Sequence, residues 1–258
     1  MKNLKISIVQ SDLIWENVNE NLSYHYSLIQ DLKNKTDLIV LPEMFTTGFS
    51  LNVDLVAQNM QSETVFWMKN TAKELNSAIT GSFICKEKNK YFNRQLFVFP
   101  DGNYEFYDKR HLFRMGDENK IFTSGKKQVI VNLKGFRIQL FTCYDLRFPV
   151  WSRNKNNYDL AIYVANWPEA RKNVWSTLLK ARAIENQIFV VGVNRVGVDG
   201  MKLKYSGNST IIDAKGNEIL ETTEHKTEVK TIEISLDDLE NFRKTFPVLL
   251  DGDEFEII

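Results

Sequence analysis

Residues 136–149 read Phe-Arg-Ile-Gln-Leu-Phe-Thr-Cys-Tyr-Asp-Leu-Arg-Phe-Pro. The first seven residues are mostly apolar and predict a strand, and Cys143 follows at the point where the chain turns. A small nucleophile at the end of a strand is well placed for attack, with the next backbone N–H groups directed toward an oxyanion site. An isolated free cysteine is more often a small buried hydrophobe, as we expect for Cys85. The segments that accompany Cys143 therefore decide whether it carries chemistry.

Short apolar runs alternate with amphipathic stretches along the whole chain, a pattern typical of layered α/β proteins. Many strands and four or five helices predict sheets packed face to face with helices outside. We expect a single domain over residues 1–258, with a core at about 4–235 and a C-terminal tail at 236–258. The predicted strands span residues 5–9, 37–41, 78–84, 95–99, 104–107, 128–133, 136–142, 159–165, 188–193, 209–212 and 231–235. The predicted helices span residues 18–33, 62–75, 171–186 and 240–245, with a short helix from Pro149.

Composition narrows the class of protein. The 258 residues include 33 Lys plus Arg and 33 Asp plus Glu, and this balance argues against a nucleic-acid-binding protein. Hydrophobic residues make up 43%, which excludes a largely disordered chain. No run approaches the roughly 18 apolar residues of a membrane helix, and residues 1–10 lack the apolar core of a signal peptide. The two cysteines, without zinc-ligand spacing, predict free thiols, no metal and a cytoplasmic location.

Two further segments offer partners for a thiol. Glu43, in Leu41-Pro-Glu-Met-Phe45, follows a predicted buried strand at the edge where α/β sheets bind ligands, and it is a candidate base. Lys109, in Tyr-Asp-Lys-Arg-His, follows another short strand. An ammonium group at that position is able to stabilise an oxyanion and to lower the pKa of a nearby thiol. Each segment alone is typical of a solvated turn, so their combination with Cys143 matters.

Histidine is the more common partner of a catalytic cysteine, and the chain has His25, His111 and His225. We expect His25 on a polar helix face and His225 in a charged loop. His111 stands two residues after Lys109 and is the one candidate for a Cys–His thiol enzyme. That alternative stays open at this point.

The order Glu43, Lys109, Cys143, each in the segment quoted above, resembles the nitrilase superfamily of carbon–nitrogen hydrolases. The resemblance covers residues 5 to about 234. It implies an α-β-β-α sandwich that forms a homodimer or a larger homo-oligomer by extending its sheets. It also implies that Glu43 is the base, Lys109 the charge stabiliser and Cys143 the nucleophile. Glu118, placed ahead of Gly125, matches the second glutamate that many members use to hold the lysine and to position water.

Within the superfamily, three segments resemble the bacterial omega-amidase branch. They are Asn-Trp-Pro-Glu-Ala-Arg at 166–171, Ala-Arg-Ala-Ile-Glu-Asn-Gln at 181–187, and Asn-Arg-Val-Gly at 194–197 together with Tyr-Ser-Gly-Asn-Ser at 205–209. Omega-amidases hydrolyse the side-chain amide of 2-oxoglutaramate and 2-oxosuccinamate without a cofactor. True nitrilases usually have Cys-Trp-Glu at the nucleophile, whereas this chain has Cys-Tyr-Asp at residues 143–145. The resemblance therefore favours amides over nitriles as substrates. The alternatives are another amide or carbamoyl hydrolase and a non-catalytic binding protein of this fold.

A 2-oxo acid amide carries a remote carboxylate, which a cation or several N–H donors would have to bind. Arg147 is the candidate nearest to Cys143, and Arg171 and Arg195 are others; a structural ion pair of Arg147 is at least equally expected. The resemblance implies that the backbone N–H of Tyr144 helps to hold the oxyanion.

Two aromatic residues, Trp167 and Phe45, are candidates for the wall of the substrate pocket, although large aromatic residues more often belong to the core. On the helix predicted over residues 171–186, Arg182 and Glu185 are interpreted as a scaffold ion pair.

Overall fold

The computed structural model describes residues 2–257, and these form two six-stranded sheets, one two-stranded hairpin and six α-helices. The strands are β1 (Asn3–Gln10), β2 (Leu38–Val40), β3 (Ala78–Glu87), β4 (Lys90–Val98), β5 (Tyr104–Asp108), β6 (Ile130–Leu133), β7 (Phe136–Thr142), β8 (Leu160–Ala165), β9 (Phe189–Asn194), β10 (Val196–Val198), β11 (Lys204–Ser206), β12 (Thr210–Ile212), β13 (Glu218–Glu221) and β14 (Glu228–Ser235). The helices are α1 (Val18–Ile29), α2 (Val53–Val56), α3 (Glu63–Leu75), α4 (Glu118–Ile121), α5 (Lys172–Asn186) and α6 (Leu236–Thr245). Short 3₁₀ helices cover Gln30–Leu32, Arg114–Gly116, Cys143–Arg147, Glu169–Arg171 and Val248–Asp251.

The two large sheets have mirrored strand arrangements. The first runs in the order β14-β1-β2-β3-β4-β5 and the second in the order β13-β12-β9-β8-β7-β6. The centre of each sheet is parallel, β1 with β2 and β3 in the first and β7 with β8 and β9 in the second, and the outer strands are antiparallel. Parallel strands buried on both faces explain the continuous apolar runs in the sequence, such as Leu160–Ala165.

The main core lies between the facing sheets. Ile6 and Ile8 of β1 pack in the same buried cluster as Leu140 of β7 and Ile162 of β8. The outer face of the first sheet is covered by α1 and α3, through buried residues that include Leu22, Ile29, Met68, Ala72 and Leu75. The outer face of the second sheet is covered by α5, through Trp175, Leu179 and Ala183. The predicted single-domain α-β-β-α sandwich is confirmed.

Three predicted elements differ from the structure. The short helix predicted from Pro149 is wrong, because the helical turn lies earlier, at Cys143–Arg147, where Thr142 and Asp145 form a capping box. The terminal helix is longer than predicted and begins at Leu236, where the Ser235 hydroxyl caps it by accepting from the Asp238 N–H. The strand predicted over residues 95–99 begins at Lys90, five residues earlier.

His25 does not lie on a polar face, so that prediction is also wrong. The buried face of α1 carries Asn21, Leu22, His25 and Ile29. The polar atoms on this face have partners, because His25 Nε2 lies 2.9 Å from Ser11 Oγ and Nδ1 lies 2.8 Å from the Asn21 carbonyl oxygen. Polar side chains that keep their hydrogen bonds can occupy a core that periodicity assigns to apolar residues.

No helix within residues 2–257 is long and apolar enough to span a membrane. Leu236 and Leu239 of α6 are buried against the second sheet, and Arg243 donates to Asp159 Oδ1 at 2.7 Å. These contacts pack α6 onto the sandwich.

The buried imidazole of His25 makes stability depend on pH. Burial, partly offset by the hydrogen bond to Asn21, lowers the pKa of His25 from 6.5 to about 4. The unfolded chain therefore binds a proton near pH 6.5 that the folded chain does not, and stability present above pH 6.5 is lost as the pH falls toward 4. We expect a loss of about 3 kcal/mol across this window, measured by urea unfolding at successive pH values.

A His25→Gln variant should lose this part of the pH dependence, whatever its overall stability. The exposed His225 is the matched control, and His225→Gln should keep the wild-type slope. Equal slopes for the wild type and His25→Gln between pH 6.5 and 4 would contradict the assignment to His25.

Candidate active site

Four residues at the site come from the ends of strands in both large sheets. Glu43 follows β2 by three residues, Lys109 follows β5 directly, and Cys143 and Asn166 directly follow β7 and β8. The strands β2, β5, β7 and β8 all end at the same edge of their sheets, because β5 is antiparallel to β4 and β4 to β3. Ligands of open α/β sheets bind at this edge. The sandwich therefore brings the three predicted chemical groups to one place.

Lys109 is the centre of a buried ionic cluster. Its Nζ donates to Glu43 Oε1 at 2.9 Å and to Glu118 Oε1 and Oε2 at 3.0 and 2.9 Å. These side chains have no exposed surface. Glu43 Oε1 also accepts from Asn93 Nδ2 at 2.7 Å, and Glu43 Oε2 accepts from the Asn166 backbone N–H at 2.7 Å. Every oxygen of the Glu43 carboxylate is thus held by at least one donor.

The cluster sets the protonation of its members. Burial alone would lower the pKa of Lys109, but the charges of Glu118 and Glu43 outweigh it and hold this pKa above its ordinary value. Burial raises the pKa of Glu118, with the Lys109 charge opposing the rise. Burial, and then the charge of Glu43, raises the pKa of the Cys143 thiol well above its usual range, against the opposing effect of Lys109. Lys109 lowers the pKa of the thiol, as expected, but burial and Glu43 outweigh this effect, so the thiol keeps its proton at neutral pH and needs a base to lose it.

Cys143 stands on a tight turn. Its backbone has φ +46°, a left-handed conformation that non-glycine residues rarely adopt and that is found at functional sites. The Thr142 N–H donates to Asp145 Oδ2 at 3.0 Å, which fixes the turn. The side chain of Cys143 is partly exposed, and its Sγ lies 3.9 Å from the Asn166 carbonyl oxygen.

The Asp145 carboxylate connects the segment around Lys109 (residues 107–111, the lysine loop) to the helical turn that begins at Cys143 (residues 143–147, the cysteine turn). It is fully buried, and its Oδ2 accepts from the Tyr107 hydroxyl at 2.8 Å. Its Oδ1 accepts from the His111 backbone N–H at 3.0 Å and lies 2.7 Å from His111 Nδ1. Tyr107 and His111 flank Lys109 on both sides, so Asp145 fixes the position of Lys109 relative to Cys143.

His111 is engaged away from the thiol. Its Nδ1 faces Asp145, and its ring stacks on Phe148 with centroids 3.8 Å apart. Within residues 2–257 the structure shows no hydrogen bond between a histidine and Cys143. The geometry therefore gives no support to a Cys–His arrangement, and the charged groups that act on the thiol are Glu43, Lys109 and Glu118.

Gly125 holds the Glu118 segment against Lys109. Its N–H donates to the Lys109 carbonyl oxygen at 2.9 Å, and a Cβ at this position would lie 1.9 Å from the Asp108 carbonyl oxygen. Only glycine allows this approach of two backbones. The close contact explains in physical terms why a glycine follows Glu118 in the sequence.

A cavity of about 640 Å³ opens above the cluster, and Lys109, Cys143, Tyr144 and Asn166 are among the residues that line it. Its wall is largely apolar and aromatic, formed by Trp15, Phe49, Leu51, Phe113, Met115, Trp167, Pro168, Met201 and Leu203. An apolar cavity with a few convergent polar groups is typical of a small-molecule site. In the described part of the chain, no three His, Cys, Asp or Glu side chains are grouped as metal ligands.

Two arginines face this cavity. The Arg147 guanidinium lies 5.2 Å from the centre of the Trp167 ring, and that of Arg171 lies 5.4 Å from the Phe113 ring. Neither forms an ion pair with a carboxylate among residues 2–257. The structural ion pair weighed for Arg147 is therefore not seen, and both cations are available to an anionic ligand.

Arg195, the third candidate, is fully buried and binds Asp12 Oδ1 at 2.6 Å, so it does not line the cavity. Phe45 also fails to line it. The Phe45 ring belongs to the core under α1 and α3, 5.4 Å from the His25 ring. The predicted ion pair between Arg182 and Glu185 is confirmed at 2.8 Å.

Sequence reasoning missed three residues that hold the site together. Asn93 binds both glutamates, Asn166 binds Glu43 through its backbone, and Asp145 joins the two loops. The one signal for Asn93 is an amide inside the run Phe92-Asn-Arg-Gln-Leu-Phe-Val98, since asparagine is depleted in strands.

A thiol, a carboxylate and an ammonium group around one cavity are the functional groups expected of a hydrolase that forms a covalent intermediate. A family model described as Carbon-nitrogen hydrolase matches residues 5–244, and the chain belongs to this family.

Curated relatives are similar in sequence to this chain over its full length or nearly so. The chain is 44% identical to Omega-amidase YafV of Escherichia coli K12, with all of both chains covered. It is 32% identical to the 2-oxoglutaramate amidase of Bacillus subtilis 168, over 95% of this chain and 96% of that one. Among solved structures, the CN-hydrolase superfamily protein XC1258 of Xanthomonas campestris, which has an arsenic adduct in its active site, matches with TM-score 0.98 and 44% identity over 100% of both chains.

Replacing Asp145 by Asn should lower the reactivity of Cys143. Both carboxylate oxygens accept hydrogen bonds, so an amide would direct its NH₂ at a donor and leave buried donors unpaired, at about 1–3 kcal/mol each. We expect inactivation by iodoacetamide to slow about tenfold or more, because the position of Cys143 relative to Lys109 is no longer fixed.

Asp159→Asn is the matched control, because Asp159 is a buried aspartate bound by Arg137 and Arg243 outside the cavity lining. It should lower the melting temperature without slowing alkylation. An Asp145→Asn protein that is alkylated at the wild-type rate would refute the role of this carboxylate.

Proposed function

We propose that this protein is an omega-amidase. It hydrolyses the terminal amide of 2-oxoglutaramate and 2-oxosuccinamate to a 2-oxo dicarboxylate and ammonia through a thioester on Cys143. The observation that carries the proposal is the convergence of Cys143 with Glu43 and Lys109 beneath a cavity that also presents two unpaired arginines. The full-length identity to enzymes named omega-amidase and 2-oxoglutaramate amidase supports this substrate class. The arsenic adduct in the Xanthomonas campestris relative fits a reactive site of this kind.

Acylation begins with proton transfer. Glu43 takes the proton of Cys143, and the thiolate attacks the amide carbon. The raised pKa of the thiol supports a neutral resting cysteine that is activated when substrate is bound. Glu43 then gives the proton to the departing nitrogen, the C–N bond breaks, and ammonia leaves the thioester behind.

The negative charge on the substrate oxygen is held by Lys109 Nζ and the Tyr144 backbone N–H. Tyr144 is the second residue of the helical turn at Cys143–Arg147, and N–H groups in a first turn have no partner within the helix. Lys109 makes two contacts with the Glu118 carboxylate, so one of its N–H groups can turn to the oxyanion while the other keeps the ion pair.

Deacylation uses the same base. Glu43 removes a proton from water as the water oxygen attacks the thioester carbon, the C–S bond breaks, and Glu43 returns the proton to the departing sulfur as the 2-oxo acid leaves. Glu118 assists by holding Lys109 and by positioning the water. Splitting amide hydrolysis into two steps lowers the barrier that a single attack by water would meet.

Arg147 and Arg171 bind the remote carboxylate. Both line the same cavity as Cys143, and their guanidinium groups lie over the rings of Trp167 and Phe113, which helps to hold them in place. A guanidinium without an internal acidic partner gains a charge-assisted hydrogen bond when a carboxylate enters.

The protein acts in the cytoplasm as a homodimer or larger homo-oligomer. A reducing compartment keeps Cys143 as the thiol that the mechanism needs, and both cysteines are free. Oligomer formation is supported by the family alone. Light scattering coupled to gel filtration should give at least twice the mass of one chain, and a mass of one chain would contradict it.

Cys143→Ala should abolish turnover of 2-oxoglutaramate while leaving the melting temperature near the wild-type value, because only the nucleophile is removed. Ammonia release measures the activity, and mass spectrometry of quenched wild type should show the thioester on Cys143. The buried Cys85 is the matched control, and Cys85→Ala should remain active.

The same assay separates the alternatives. Ammonia from another amide or a carbamoyl compound, but not from 2-oxoglutaramate, would assign a different hydrolase. Release from no member of the panel would favour a binding protein. Undiminished turnover by Cys143→Ala would end the thioester mechanism.

Arg147→Met and Arg171→Met should raise the KM for 2-oxoglutaramate by roughly ten- to a hundredfold, the range of one charge-assisted hydrogen bond. Pentanamide, which has no carboxylate, is the matched substrate, and its KM should change little. If both variants keep the wild-type KM for 2-oxoglutaramate, these arginines do not bind the carboxylate.

A further inference from the structure

Asn93 of β4 touches each charged member of the buried cluster. Its Nδ2 donates to Glu43 Oε1 at 2.7 Å and to Glu118 Oε1 at 3.2 Å. Its backbone carbonyl oxygen accepts from the Lys109 backbone N–H at 3.0 Å. Asn93 is almost fully buried and is not among the residues that line the cavity. Asn93 therefore contacts the cluster from the protein interior and not from the cavity, so it has no access to a substrate.

The orientation of the Asn93 amide is fixed at its other end. The Met44 backbone N–H donates to Ser82 Oγ at 2.8 Å, and the Ser82 hydroxyl in turn donates to Asn93 Oδ1 at 2.8 Å. With its one proton committed in this way, Ser82 requires an oxygen at that end of the amide. The NH₂ group must then face the two carboxylates.

We propose that Asn93, oriented by Ser82, is a positioning residue that holds Glu43 and Glu118 apart as two carboxylates around one ammonium group. Lys109 supplies one positive charge for two acidic side chains, and all three are buried. Two carboxylates that share a buried site compete for a proton unless donors stabilise both anions. The Asn93 NH₂ supplies one hydrogen bond to each without adding charge.

This role predicts the direction of a change in pH dependence. The titratable groups around the Asn93 amide are Glu43 and Glu118, which its NH₂ group binds, Lys109, which binds both carboxylates, and Cys143, which interacts with Glu43. Removing a donor from a carboxylate favours its protonated form. Without the amide, the cluster takes up a proton at higher pH, and Glu43 then ceases to act as a base in a range where the wild type is active.

The experiment compares three variants. Asn93→Leu removes the donors, Asn93→Asp keeps the shape but adds a negative charge, and Ser82→Ala leaves the amide free to turn. We expect kcat/KM for 2-oxoglutaramate at pH 7 to fall about ten- to a hundredfold in Asn93→Leu. The acidic limb of its pH profile should move up by about one unit, further in Asn93→Asp and less in Ser82→Ala.

Gln95 provides the matched control. It is a buried amide two residues further along the same face of β4, bound to Thr80 and Thr142 and not to the cluster. Gln95→Leu should lower the melting temperature and leave the acidic limb in place. If Asn93→Leu does not fold, the single-atom change Ser82→Ala still tests the orientation of the amide.

The inference rests on the proposed roles of Glu43 and Glu118, so a second readout does not use the proposed substrate. The pH dependence of Cys143 inactivation by iodoacetamide should show the same upward shift in each variant. A shift in alkylation without any hydrolysis of 2-oxoglutaramate would contradict the proposed substrate and support the role of Asn93. An unmoved acidic limb in both readouts for folded Asn93→Leu or Ser82→Ala overturns the inference.

Discussion

A single buried ammonium group, that of Lys109, bridges two buried carboxylates, and the site is arranged around this constraint. Taking three charges out of water is expensive unless each has a full set of hydrogen-bonding partners. Glu43 receives donors from Lys109, Asn93 and the Asn166 backbone. Glu118 receives Lys109, Asn93 and the Phe113 backbone N–H, the last at 2.6 Å. Asn93 lies inside β4, Lys109 and Asn166 directly follow β5 and β8, and Phe113 precedes the turn at Arg114–Gly116, so the charges are stable only in the complete fold.

The same constraint explains why both sheets are needed. Glu43, Asn93 and Lys109 belong to the first sheet, whereas Cys143 and Asn166 belong to the second. The Asn166 backbone N–H crosses between the sheets to Glu43, and Asp145 crosses in the opposite direction to Tyr107 and His111. Cys143 and Glu43 therefore meet only when the two sheets pack face to face, and the apolar core between the sheets sets their separation.

Local sequence patterns predicted the chemical groups because each stands at the end of an apolar run. Cys143 and Lys109 directly follow strands, and strands were recognisable from their composition. Helical periodicity misplaced His25, because a polar ring with satisfied hydrogen bonds can be buried in the core. Phe45 was a candidate for the pocket wall, but it packs in the same core, as large aromatic residues more often do. Asn93 was not predictable, since its role depends on pairing between β3 and β4 and on residues fifty positions away.

The four cationic side chains at or near the site differ in how many acidic partners the fold gives them. Lys109 has internal acceptors for its N–H groups, which fixes its position at the lining of the cavity. Arg147 and Arg171 lie over aromatic rings and have no acidic partner among residues 2–257, so their charge stays uncompensated. Arg195 is buried, is compensated by Asp12 and does not line the cavity. In the proposed mechanism, similar charges thus serve catalysis, recognition or structure, because the fold decides how many acceptors surround each one before a substrate binds.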